Sequence, residues 1–182
     1  MNLELKIFTL VVFIVGIFSS IIEIASLFLS IDMNFSFLFY IAFFIQIILL
    51  YFITKEQKIF YWSGAYVFFS LLFGMGVKQT EELDYMFYIY TALTLLFGAL
   101  SAYTLYKLYT LLYTLTQQSV FKYALVFSII GIIVTFFATT LQGYTLKEEI
   151  SMLLYLWLMA YVFDILDTTL YSIGVFRANP KI

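Results

Sequence analysis

Residues 7–29 read IFTLVVFIVGIFSSIIEIASLFL, an apolar run interrupted by one charge, Glu23. As an α-helix this run is about 34 Å long, at 1.5 Å per residue. The hydrocarbon core of a bilayer is ~30 Å thick, so the run suffices to cross it. A cleaved signal would have a shorter apolar core and a small-residue cleavage site. The run is therefore read as a retained first span behind the short charged start, Met1 to Lys6.

Working outward, five further apolar blocks follow, at 35–53, 59–77, 85–108, 120–142 and 150–176. SIDMN, TKEQK, KQTEELD, TQQS and GYTLKEE separate them. Each block approaches the ~20 residues of a helical span. The shorter alternating segments of a membrane barrel are absent. The expected fold is all-α: a bundle of six transmembrane helices forming one domain over residues 1–182. Composition agrees. Of the residues, 64% are hydrophobic and only 11% charged. A soluble domain carries roughly a quarter charged residues to stay solvated.

There is no histidine and no cysteine. That removes bis-His haem, thiolate metal sites, disulfides and the usual Cys or His nucleophile–base pairs. No cofactor is expected. The formal charge is −2 and no basic patch stands out, so nucleic acid is not an expected partner.

Charge placement gives a direction. With both termini in the cytoplasm, the inner side holds Lys6, Lys55, Lys58, Lys107, Lys122, Arg177 and Lys181. The outer side holds Lys78 and Lys147. The positive-inside rule counts these cations and favours this orientation in a cell membrane. The outer loops carry Asp32, Glu81, Glu82, Asp84, Glu148 and Glu149, read as solvated loop ends. Tyr51, Tyr61 and Trp62 flank the TKEQK loop, and Tyr106, Tyr109 and Tyr113 mark the inner end of the fourth span. Such rings form interfacial belts, apolar in body and polar at the tip. TLYKLYTLLYTLTQQ is accordingly expected to leave the membrane as a helix lying at the inner interface.

Helices in lipid associate through close packing at small residues. Span one offers Gly16, Ser19, Ser20, Glu23, Ser26 and Ser30 on one face; span five offers Ala124, Ser128, Gly131, Thr135, Ala138 and Gln142. Span four has Thr91, Thr94, Gly98 and Ser101, and span three has Ser63, Ser70 and Gly74. Span two is aromatic and aliphatic, and is expected to be the most lipid-exposed, with Gln46 turned inward. AYVF occurs at both 65–68 and 160–163, but the surrounding loops do not align at that offset, so no repeat of three helices plus three is read.

Chemistry concentrates on three acids. Glu23 lies in span one; Asp164 and Asp167 lie three apart in span six, hence on one helix face. Thr168 and Tyr171 continue that face. An ionisable group at membrane depth is costly and marks a candidate functional site. Two carboxylates a turn apart in low dielectric do not both ionise easily. Such a pair suits a proton relay, or holds a dehydrated cation with help from Thr and Tyr oxygens. A bent Lys107 reaching Asp167 would instead make a structural ion pair. An enzyme is not expected. Membrane prenyltransferases need more than one Asp-rich motif and cations for the diphosphate, and the GxGD setting of membrane aspartyl proteases is missing. The expectation is a small proton- or cation-linked transport or conduction unit using Glu23, Gln46, Lys107, Asp164, Asp167, Thr168 and Tyr171. The alternative is a non-catalytic sensor module or accessory subunit. Expected partners are the lipid bilayer and other membrane subunits or a second copy of the chain.

Overall fold

The computed structural model describes residues 3–29, 36–75, 85–142 and 150–178. Among them all regular structure is helical: α1 (Leu3–Leu29), α2 (Ser36–Thr54), α3 (Lys58–Met75), α4 (Tyr85–Thr116), α5 (Val120–Gln142) and α6 (Ile150–Arg177). Four of these, α1, α4, α5 and α6, are long and apolar enough to cross a membrane. Phe18, Phe44, Phe68 and Phe137 are each more than half exposed, a surface suited to lipid rather than water. Ser30, the acidic loop residues Asp32, Glu81, Glu82, Asp84, Glu148 and Glu149, and Lys78, Lys147, Pro180 and Lys181 lie outside the described residues, as do the surroundings of Gly74 and Gln142.

Each helix packs on its neighbours in the chain, and α6 returns to α1, so the helices close a ring. Small residues set the approaches. Ser19, Ser20, Ser63, Thr94, Ser101, Ser128, Ala124 and Ala138 are all buried. Ser70 and Ser101 join α3 to α4 through a 2.8 Å hydroxyl contact. Threonine hydroxyls away from water turn back on their own helix, as the buried Thr94 does to the Tyr90 carbonyl at 2.8 Å.

The loops after α2 and α4 are near copies. Lys55 and Gln117 each take a left-handed φ of 57° just past the helix end. Their amides donate to Tyr51 O (2.7 Å) and Tyr113 O (2.8 Å). Thr54 and Thr116 each donate to a carbonyl four residues back, Leu50 O at 2.8 Å and Leu112 O at 2.7 Å. One interval separates Lys55 from Gln117, Leu50 from Leu112 and Ile59 from Phe121, and it also separates Ile47 from Tyr109 and Tyr109 from Tyr171. All but the two loop residues are buried. The internal likeness of the chain thus lies in these hairpins and not in the AYVF tetrapeptides.

Two expectations are corrected here. The 104–116 segment does not peel away as an interfacial helix. It continues α4 without a break, because Leu105, Leu108, Tyr109 and Leu112 form a stripe at helical spacing that is buried against the other helices. Nor is α2 the helix given over to lipid. Phe43, Ile47, Leu50 and Ile53 belong to the main core, with Ile59, Phe121, Val175 and Ala178 from α3, α5 and the end of α6. This core fills the end of the ring that carries the two copied loops, called below the short-loop end.

Candidate functional site

The face of α6 bearing Ala160, Asp164, Asp167, Thr168 and Tyr171 looks into the ring. Asp164 settles the direction. On one side its Oδ1 lies 3.6 Å from where a Cβ on Gly131 of α5 would stand. On the other it lies within electrostatic reach of Glu23 on α1, as does Tyr161. A side chain flanked by both ring neighbours of its own helix points inward. Asp164 is exposed to solvent-sized access, although protein atoms crowd around it. Exposure beside Gly131 of α5 and Glu23 of α1 is what an acid at the accessible rim of the ring would show.

One turn further along α6, the ring narrows. Tyr109 on α4 donates its hydroxyl to Asp167 Oδ1 at 2.7 Å, bridging two helices that are not ring neighbours. Gln46 on α2 does the same from the other side, its Nε2 donating to Ser172 Oγ at 3.2 Å. Tyr171 packs tilted or edge-on among Tyr109, Phe121 and Phe43 at centroid distances of 5.6, 5.9 and 6.3 Å. Beneath these rings Leu50, Leu108, Leu112 and Val175 have no exposed surface. The site therefore has an accessible acidic upper part, an aromatic floor pinned to Asp167, and a dry region below it.

A cavity of about 20 Å³ sits at the floor, bounded by Gly16, Gln46, Tyr109, Asp167, Thr168 and Tyr171. That is room for about one water molecule. Tyr171 is 2% exposed and its hydroxyl has no hydrogen-bond partner. A buried hydroxyl left so costs on the order of 1–3 kcal/mol, which a guest in this cavity would recover. Ser128 Oγ of α5 lies close to the Asp167 carboxylate but outside bonding geometry. Gly16 lets α1 approach this level: a Cβ there would meet Thr168 Cγ2 at 3.0 Å. Among the described residues, no three carboxylates converge closely enough to hold a metal ion.

Of the residues singled out in the sequence, Asp164, Asp167, Thr168, Tyr171 and Gln46 meet on the inner face of the ring, with Glu23 beside Asp164. Lys107 does not join them. Its Nζ stands over the Tyr103 ring at 5.4 Å, so the ion pair with Asp167 does not form. A cation sheathed by an aromatic face at the bundle edge avoids the desolvation that reaching the interior would cost. The sequence pattern places Tyr109 in the interfacial belt, yet it is 2% exposed and supplies the bond that pins the floor. Its place in the Leu105–Leu112 stripe is the signal that marks it as core. Set against protein-family models, curated proteins and solved structures, the chain matches none.

Proposed function

We propose that this chain is a small membrane protein of six spans with both termini in the cytoplasm, and that it moves protons or small cations along its intramembrane carboxylates. The observation that carries the reading is the Tyr109–Asp167 hydrogen bond, set between the exposed Asp164 and a dry, closed end. A site open to one side and sealed from the other is what alternating access requires. The seven-to-two split of Lys and Arg puts the short loops in the cytoplasm and Asp164 toward the exterior. The want of a three-carboxylate cluster among the described residues favours a proton or a weakly held cation over a tightly bound divalent metal.

In this mechanism Asp164, with Glu23 beside it, receives the proton at the rim. Asp167, about 4.5 Å further along the axis, receives it next. A bond from a phenol to a carboxylate is stronger than one to a neutral acid. Proton arrival at Asp167 thus loosens the Tyr109 bridge and releases the floor. Tyr171 and a single water in the cavity carry the proton past it.

The test is flux in reconstituted vesicles under an imposed proton, sodium or potassium gradient. Asp164→Asn and Asp167→Asn each remove ionisation at nearly constant size, and flux should fall at least about tenfold for each. Tyr109→Phe deletes the bridge alone and should alter the rate while both acids remain. A second reading, a sensor module or accessory subunit, is favoured by the dry packing of the short-loop end. Wild-type protein with no flux of any of the three ions, together with unimpaired folding of both Asn variants, would leave that reading standing and remove transport.

A further inference from the structure

A second concavity lies on the outside of the ring, along the seam between α1 and α6. It is a groove of about 360 Å³ with Leu10, Phe13, Ile173 and Phe176 as its apolar walls. Arg177, the last residue of α6, stands at its short-loop end. Lys6 of α1 reaches to the same place, its Nζ 5.1 Å from the centroid of the Phe176 ring. Leu10 and Phe176 are about half exposed, so the groove opens outward from the bundle.

We propose that this groove binds an anionic phospholipid, with one acyl chain along the α1–α6 seam and the phosphate at Arg177 and Lys6. Charge complementarity selects the occupant. A neutral lipid would fill the apolar trough but bring no net charge to the two cations. A free phosphate would meet the cations but leave the trough empty. The guanidinium offers paired donors matched to phosphate oxygens, and the ammonium adds a point charge. Basic residues at the end of a seam between membrane helices are a recurrent headgroup site. This inference rests on residence in a bilayer and is independent of any flux through the ring.

The test uses the full chain purified in a neutral detergent. Phosphatidylglycerol, phosphatidylcholine and glycerol phosphate are titrated in turn, and one-to-one adducts are followed by native mass spectrometry alongside thermal unfolding. Phosphatidylglycerol should give a retained adduct and a raised Tm. Arg177→Gln and Lys6→Gln should each weaken it about fivefold, the equivalent of roughly 1 kcal/mol per charge. Ile173→Trp should fill the groove and abolish the adduct with both cations in place. Leu10→Trp, at an exposed rim position, makes the same test should the Ile173 variant misfold. Equal retention of phosphatidylcholine would overturn the proposal, as would an equal effect of glycerol phosphate, or an undiminished adduct in a folded tryptophan variant.

Discussion

Glycine shows how much a single residue depends on its surroundings. At Gly174 a methyl group would stand 2.7 Å from Phe121 Cζ, whereas around Gly64 nothing lies within 4 Å. Both sit inside helices, where Ala is favoured over Gly by roughly 0.5–1 kcal/mol. Gly64→Ala should therefore stabilise the protein by about that much. Gly174→Ala gains the same propensity but overpacks against a ring with no exposed surface, and should be net destabilising by about 1–3 kcal/mol. Reversible unfolding in mixed detergent micelles would measure both. A stabilised Gly174→Ala variant would mean the Phe121 ring has room to move. Nothing in the sequence separates these two glycines, because each is flanked by ordinary helix residues and the difference is a ring from another helix. Tyr109 makes the same point about function. Its neighbours look like an interfacial belt, and only the approach of α6 turns its hydroxyl into the partner of Asp167.

Among the elements, α4 departs most from its sequence reading. Hydropathy fades past residue 108, yet the helix runs on to Thr116, because its buried stripe outweighs the polar residues that alternate with it. What stops it is local. Gln117 turns left-handed, a conformation that costs a residue with a Cβ roughly 1–2 kcal/mol and glycine little. Gln117→Gly should consequently raise stability by about 0.5–1 kcal/mol, after its extra freedom in the unfolded chain is discounted. Gln117→Val, whose branched Cβ fits this conformation poorly, should lower stability. Thermal unfolding of both variants would check the pair of signs, and a stabilising valine would show that the turn had rearranged. Lys55 occupies the matching position after α2, so Lys55→Gly should act in the same direction.

For the whole molecule, the ring and its orientation carry the functional reading. On the proposed topology, Gln57→Cys and Ser119→Cys should resist an impermeant maleimide in intact cells and react once the membrane is permeabilised. Reaction of either in intact cells would reverse the topology and turn Asp164 toward the cytoplasm. Helical class and the positions of the helices were legible from sequence, since a bilayer imposes length and hydropathy on each helix separately. Gln46 was also legible as an inward residue, because a lone amide on an apolar helix has few other places to go. The closure of α6 on α1 was not, nor the exposure of Asp164, nor the sealing of Asp167 by Tyr109. Those depend on which helix faces which, and in lipid that choice is made by shape: Gly16 against Thr168, Gly131 against Phe163, and Gly174 against Phe121. The sequence by itself determined that this chain is built of apolar helices and carries acids within them. Only the tertiary structure decided that the face carrying Asp164 and Asp167 turns into the ring and that a phenol binds it, because hydropathy acts on each helix alone and packing acts between them.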